Sequence, residues 1–372
     1  VKLQLKSPHL FNFSLPLGEK KLGIFMGSFS LSAQDRETLT KTATLIWQKV
    51  IKKTRMNNFI GHIRFDFIPG FNREIIEIEN GVFELGPLQI VGIYEINVHS
   101  PECLAAVTVF REITKRNEFN PTVLLAREIK RIFNNEKIVF VVGRGLVKRA
   151  WKEIYLRELR QYLEIIPMEE EEVMMTSKPS IIWRWGDARI EGPSEYSSRF
   201  QEWLREYPGI VFNTLPQQKE QDLGNKMLLL PENGEREWNR LVGENRWLNS
   251  EEVLEWGIEN QSQLVLKPLL GSSGKDITFG KNISQKEWTE LLKKVYSSSC
   301  YGLYEARWLP KISINSYEDF TFDVNSAFWA EGEKLVYLYT VVRVDSWERY
   351  WQRGTINVTQ GAGFAGCCLE EE

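Results

Sequence analysis

The chain has 372 residues, 42% hydrophobic and 26% charged, with a formal charge of −3 and three histidines. That length predicts two or three subdomains rather than one core. The charge supplies no global cationic field for a dedicated nucleic-acid binder, and His9, His62 and His99 are too few for a multi-histidine metal centre.

Cys103, Cys300, Cys367 and Cys368 contain no Cys-x-x-Cys pair, so neither a disulfide framework nor a structural zinc site is expected. No apolar run approaches the roughly 20 residues that span a bilayer, and the first residues lack a signal-peptide pattern. The expected location is cytoplasmic. The thirteen Trp residues are scattered and are expected to pack rather than to bind sugars or bases.

In chain order, residues 32–54 read as a helix, with Ser32 and Asp35 as an approximate capping box and Leu39, Ala43, Ile46 and Val50 at helical spacing. Three strand-like runs follow, His62–Ile68, Glu74–Glu79 and Leu88–Asn97. Asn80-Gly81 marks a turn, although the interval to Leu88 exceeds a tight hairpin. Asn120-Pro121 opens a second helix. Lys137–Val142 reads as a short buried strand ending in Gly143-Arg144-Gly145, then a helix runs from about Leu146 to Leu163. The acidic run Glu169–Glu172 reads as a solvated loop before the strand Ile181–Trp183. A helix capped near Ser194 and the strand Ile210–Phe212 complete a βαβ-like stretch, read as a small parallel α/β domain. Beyond about residue 215 the pattern is α+β. Ser284 and Glu287 cap a helix around Trp288–Tyr296, and the strands Phe320–Trp329 and Leu335–Val344 meet through Glu331-Gly332-Glu333. There is no internal repeat and no low-complexity linker.

Four clusters carry chemistry. Lys267-Pro268-Leu269-Leu270-Gly271-Ser272-Ser273-Gly274-Lys275 ends the strand Gln263–Leu266. A Gly- and Ser-rich turn there can present backbone N–H groups to phosphate oxygens, with Lys267 as a point charge, although it lacks the Walker spacing and by itself is also an ordinary loop. Asn225-Lys226 could meet a nucleotide, or be a surface lysine. In Arg64-Phe65-Asp66 and Glu95-Ile96-Asn97 alternate residues share a strand face, so neighbouring strands would gather two carboxylates, an amide and a guanidinium. Magnesium favours such oxygen donors together with nucleotide phosphates, and Arg64 suits a phosphoryl group in transfer; ordinary ion pairs on an exposed sheet face are the alternative. The last cluster joins Arg343, Gly354-Thr355-Ile356-Asn357 and Gly361-Ala362-Gly363-Phe364-Ala365-Gly366, where glycine permits close backbone approach to a ligand; a flexible terminus is the alternative.

Together the clusters resemble the ATP-grasp superfamily in the order of its glutathionylspermidine synthase-like members, over about residues 60–366. The metal-type motif Glu95-Ile96-Asn97-Val98-His99-Ser100-Pro101 precedes the Lys226 and Lys267 elements, which is a circular permutation. The resemblance implies an α+β and α/β chain with the metal-carboxylate part in 1–135, a Rossmann-like pre-ATP-grasp domain in 136–215 and the nucleotide-binding part in 216–372. It implies Asp66, Glu95 and Asn97 as magnesium ligands, Arg64 and Arg343 at the phosphoryl group, and Lys226, Lys267, Gly271, Ser272, Ser273 and Gly274 around ATP. Glu305 is then the hinge residue beside adenine. The interval between Asp66 and Glu95 is long for the family, so Glu77 and Glu79 compete with Glu95; Asn97 at the right spacing favours Glu95. Nothing resembles the amidase half of bifunctional members, and the terminal Gly-rich motif differs from the synthase pattern.

The expected activity is ATP- and magnesium-dependent joining of a carboxylate, of small-molecule or peptide type, to an amine through an acyl phosphate. Neither a nucleic acid nor a membrane is an expected partner. A phosphotransferase, which keeps the phosphate on its product, and a non-catalytic nucleotide-binding protein are the rival readings.

Overall fold

The computed structural model describes residues 2–5, 11–13, 22–24, 27–71, 76–79, 82–98, 107–108, 111, 120–134, 136–141, 154, 156–176, 181–184, 197–213, 225–269, 276–314, 317–356 and 362–369. Four short strands come first, β1 (Lys2–Leu5), β2 (Phe11–Phe13), β3 (Leu22–Ile24) and β4 (Gly27–Leu31). Helix α1 (Ala33–Thr54) follows, closed at its start by the expected reciprocal box between Ser32 and Asp35. Next are β5 (Ile60–Phe71), β6 (Ile76–Glu79), β7 (Val82–Glu84) and β8 (Leu88–Asn97). Strand β7, which the sequence reading left inside a loop, pairs with β6 with Glu79 opposite Val82.

Helix α2 (Pro121–Phe133) starts as expected, with the Asn120 side chain accepting from the Thr122 N–H and Pro121 in the first turn. The strands β9 (Ile138–Val141) and β10 (Ile165–Met168) precede α3 (Glu170–Met175). The expected helix 146–163 lies largely outside the described residues, with 156–159 helical. The acidic run is not a loop. Glu170, Glu171 and Glu172 fill the first turn of α3, where carboxylates complement the partial positive charge of unpaired N–H groups. Glu170 is buried because its carboxylate accepts from the backbone N–H and hydroxyl of Ser197 at 3.0 and 2.6 Å. Ser197, rather than Ser194, caps α4 (Ser198–Arg205), after β11 (Ile181–Arg184) and before β12 (Ile210–Phe212).

The last part comprises a 3₁₀ turn at Lys226–Leu229, α5 (Arg236–Val242), β13 (Arg246–Trp247), α6 (Glu251–Glu259), β14 (Leu264–Pro268) and β15 (Thr278–Phe279). Then come α7 (Gln285–Tyr296), with the Ser284–Glu287 box in place, β16 (Tyr301–Glu305), β17 (Ile312–Ile314), β18 (Tyr317–Glu331), β19 (Lys334–Ser346), α8 (Trp347–Arg353) and β20 (Gly363–Leu369). No helix among the described residues is long and apolar enough to cross a membrane.

The architecture is mixed α/β with several sheets. A ten-stranded sheet runs β6-β7-β1-β4-β20-β19-β18-β5-β8, with β17 added to β18. It draws strands from both ends of the chain, and β20 joins β4 in parallel and β19 antiparallel. The Gly-rich tail is therefore a strand over 363–369, paired with β19 along 363–366 and with β4 along 366–369, and not a flexible terminus there. A four-stranded parallel sheet, β10-β9-β11-β12, occupies the middle of the sequence, and a four-stranded antiparallel sheet, β13-β16-β14-β15, lies in the last part.

One face of the large sheet carries Ile63, Phe65, Phe67, Phe322, Val324 and Val342 into a core with Leu39, Ile46 and Trp47 of α1. Period-two alternation then sends His62, Arg64, Asp66, Asp323 and Asn325 to the opposite face. Part of that face is covered by the parallel sheet, whose Trp183 and Phe212 cluster with Trp329 and Tyr339. Elsewhere Tyr94 and Tyr350 cluster with Ile68 and Trp308. Trp47, Trp183, Trp238, Trp288 and Trp329 are fully buried, as packing residues.

Candidate functional site

Between these two apolar clusters the face is polar. Register places Asp66 opposite Glu95 on one side and Asn325 on the other, and Arg64 opposite Asn97. Strand β8 keeps its acidic residue on this face through an irregularity. Asp66 pairs with Glu95 but Phe67 pairs with Ile93, so β8 carries Tyr94 as an extra residue, and such a bulge re-aims side chains. Ile93 and Ile96, three apart, consequently both reach the apolar core.

Arg64 grips Asp66 in two parallel bonds, Nε to Oδ1 at 2.7 Å and Nη2 to Oδ2 at 3.0 Å. Arg343, from β19, adds a bond from Nη2 to Asp66 Oδ2 at 3.3 Å. Its Nε donates to both oxygens of Asp323, at 3.1 and 3.0 Å, and its Nη2 donates to Asp323 Oδ2 as well. Asp323 Oδ1 also accepts from Asn325 Nδ2 at 2.6 Å. Asp66, Asp323 and Asn325 are at most 1% exposed, and the two arginines lie over them. Glu95, whose side chain is 29% exposed, stands 3.6 Å from Lys226 Nζ and accepts from Asn97 Nδ2 at 3.4 Å.

Lys226 begins the 3₁₀ turn that Asn225 caps, its side chain accepting from the Met227 N–H at 2.9 Å. The Lys226 N–H donates to the Leu269 carbonyl at 3.1 Å, which ties this turn to the segment just after β14. Lys267, on β14, sits 5.5 and 5.1 Å from the ring centres of Tyr94 and Tyr304. Tyr304 is buried and its hydroxyl has no hydrogen-bond partner among the described residues.

Titration follows from these surroundings. Burial pushes the Asp66 carboxyl above the usual carboxylate range, a shift that Arg64 and Arg343 oppose and Glu95 adds to. Burial acts on Glu95 too, but Lys226, Arg64, Lys267 and Arg343 together hold it below its ordinary value. Burial lowers Lys267 to about 8, against the pull of Glu95 and aided by Lys226. Burial lowers His62 to about 3, with Arg64 contributing, so this imidazole is neutral; its Nε2 lies 3.2 Å from the Tyr339 hydroxyl.

The structure thus brings Arg64, Asp66, Glu95, Asn97, Lys226, Lys267 and Arg343 to one surface. It places Glu305 in a different cluster, where its carboxylate accepts from the Glu244 N–H at 3.1 Å and from Arg307 at 3.2 Å. Arg307 in turn donates to the carbonyls of Val91 and Leu241. Gly271, Ser272, Ser273 and Gly274 lie outside the described residues, as do His99, Cys103 and the side chains of Glu77 and Glu79. Sequence reasoning missed Asp323, Asn325, Tyr94 and Tyr304. Asp323-Val324-Asn325 repeats the carboxylate-x-amide spacing of Glu95-Ile96-Asn97, which was a usable signal.

Among the described residues no three His, Cys, Asp or Glu side chains gather as a metal-holding group. The oxygen donors with an open side are Glu95, held ionised, and Asn97. That modest set suits magnesium, which keeps several waters and takes further oxygens from phosphates. A carboxylate offers about four acceptor positions. Guanidinium groups occupy three on Asp66, leaving one on Oδ1.

No protein-family model matches the sequence, and no curated protein does. Among solved structures, the chain is similar to the apoform of a glutathione synthetase-like effector (GSS30) from Globodera pallida. The identity is 10% and the TM-score 0.47, over 91% of this chain and 83% of that one.

Proposed function

We propose that the chain is an ATP- and magnesium-dependent ligase that joins a carboxylate to an amine through an acyl phosphate, on a circularly permuted ATP-grasp arrangement. In this reading 1–135 and 216–372 together make the grasp, 136–215 is the Rossmann-like unit, and the protein is cytoplasmic. The observation that carries it is the meeting of Arg64, Arg343, Asp66, Asp323 and Glu95 on one sheet face with Lys226 and Lys267, which reach it from a 3₁₀ turn and from β14 of another sheet. Below pH 8 that set holds four cations against three carboxylates, an excess suited to a polyanion.

Lys226 and Lys267 hold the triphosphate, with Gly271, Ser272, Ser273 and Gly274 supplying backbone N–H groups. Glu95 and Asn97, with the remaining Asp66 position, would hold magnesium, which lowers the charge on the phosphate oxygens. A carboxylate oxygen of the substrate attacks the γ-phosphorus, and the bond to the β-bridging oxygen breaks with ADP leaving. Arg64 and Arg343 face the charge that spreads over the transferring group. The amine then attacks the acyl carbon and expels phosphate. Positioning and fixed charge do most of this.

The test is magnesium-dependent ATP turnover by wild type and Glu95→Ala with a pool of amino acids and polyamines, following ADP, phosphate and new amide masses. Amide and free phosphate from wild type, lost in the variant, are expected. A phosphorylated product would replace the ligase by a phosphotransferase. A second reading, a nucleotide-binding protein without turnover, is favoured by the closure of Asp66 under two guanidinium groups. It predicts ATP binding with no product from any pool. Failure to bind ATP would end both.

A further inference from the structure

Arg343 lies on a long strand with its guanidinium directed over the sheet, and its donors are divided between two buried carboxylates. Asp323 is directly across from it in register. Strand pairing therefore supplies the closeness, and the Asp323 side chain, which takes most of the Arg343 bonds, supplies the orientation. Asn325 then holds Asp323 Oδ1 from two residues further along the same face. Asn325 is 0% exposed, and its own Oδ1 has no hydrogen-bond partner among the described residues. A buried acceptor left unmet costs on the order of 1–3 kcal/mol. An apolar residue at this position would avoid that cost, so the amide is placed here for the bond it makes to Asp323.

We infer that Asp323 is a positioning residue, braced by Asn325, that presets the Arg343 guanidinium to receive an anionic group. This inference deepens the ligase reading and rests on it for the identity of the anion, a nucleotide phosphoryl group. It gives the second carboxylate-x-amide pair a role different from the first. Glu95-x-Asn97 faces outward with an accessible carboxylate, whereas Asp323-x-Asn325 is sealed beneath an arginine. The guanidinium fork needs two acceptor directions to be fixed in a plane, and Asp323 supplies both through Nε and Nη2 while Asp66 takes a further Nη2 bond. The clamp is thereby oriented before any ligand arrives, which lowers the ordering cost of binding.

Charge and position predict opposite signs, and that separates the inference from simple neutralisation. Asp323→Asn removes a negative charge from beneath a polyanion site. If Asp323 only balanced charge, the variant would bind a phosphate ligand more tightly. If it positions Arg343, the variant binds more weakly, by roughly tenfold or more, in spite of the added positive charge. The experiment measures binding of a non-hydrolysable ATP analogue with magnesium to wild type, Asp323→Asn and Asn325→Ser. In parallel, NMR follows hydrogen exchange of the Arg343 Nε–H in the unliganded proteins, assigned by its loss in Arg343→Lys. Slow exchange in wild type, fast exchange in Asp323→Asn, intermediate exchange in Asn325→Ser and weaker binding in that order are expected. Tighter binding by Asp323→Asn, or an Nε–H equally protected in wild type and variants, overturns the inference. If wild type binds no nucleotide, the ligase reading fails while the exchange data still decide whether Asp323 fixes Arg343. Should Asp323→Asn not fold, Asn325→Ser carries the same exchange comparison.

Discussion

Lys267 shows how one side chain couples site and solvent. It lies against the rings of Tyr94 and Tyr304, and loss of water lowers its pKa to about 8. Phosphate binding needs the ammonium, so nucleotide affinity of the free protein is expected to fall as pH rises through 8, by up to about tenfold per pH unit. Titration calorimetry from pH 7 to 9.5 reads this directly, and Lys267→Met should bind weakly with no such slope. A flat profile in wild type would remove Lys267 from the site. The stability term has the opposite direction. Below pH 8 the folded protein carries a desolvated charge. Between about 8 and 10.5 the unfolded chain holds the proton and the folded chain does not, so this term favours folding more as pH rises. Arg64 with Asp66 and Glu95 with Asn97 were legible as shared-face pairs because alternation is local. The environment of Lys267 was not, since its two rings come from residues 94 and 304.

At the scale of elements, the helix starts were the most legible features. Ser32 with Asp35, Asn120 with Pro121 and Ser284 with Glu287 each satisfy first-turn N–H groups from within a few residues. Asp35 does more than the sequence disclosed. Its Oδ2 accepts from the Ser32 N–H and hydroxyl at 3.0 and 2.7 Å, while Oδ1 accepts from the Leu88 N–H at 2.8 Å. The residue is 1% exposed, so one carboxylate both caps α1 and secures the start of β8. Asp35→Ala should destabilise by about 2–3 kcal/mol, combining a lost cap with an orphaned amide, read as a lower urea midpoint at unchanged slope. A loss under 0.5 kcal/mol would show that water replaces both bonds. The cap near Ser194 was misplaced by three residues: Ser197 caps α4 through the Phe200 N–H and also meets Glu170, a partner too far off in sequence for a local pattern to disclose.

For the whole molecule, Asn213 links two sheets. It follows β12 of the parallel sheet, and its N–H donates to the Ile60 carbonyl at 2.9 Å. Its Nδ2 donates to the carbonyls of His62, at 2.9 Å, and Val98, which are neighbours on adjacent strands at one end of the polar face. Its own carbonyl accepts from Arg184 Nε and Nη2 at 3.1 and 2.6 Å. The backbone is left-handed there, with φ of 55°. Asn213→Gly keeps that conformation and loses the side-chain bonds; Asn213→Ala loses the bonds and is strained as well. The alanine variant is therefore expected to be less stable than the glycine variant by about 1 kcal/mol, and both less stable than wild type, by thermal unfolding. Equal stability of the two variants would mean that the positive φ carries no cost.

By itself the sequence determined several of the helices and strands, the starts of α1, α2 and α7, and which side chains share a strand face. These depend on propensity, capping and alternation over a few residues. Only the tertiary structure decided that the Gly-rich tail is an internal strand beside β4, that a bulge at Tyr94 keeps Glu95 on the polar face, and that Asp323 rather than solvent meets Arg343. Each depends on pairing between segments far apart in the chain. Register there follows from how whole faces bury their apolar residues, a property that no short stretch of sequence contains.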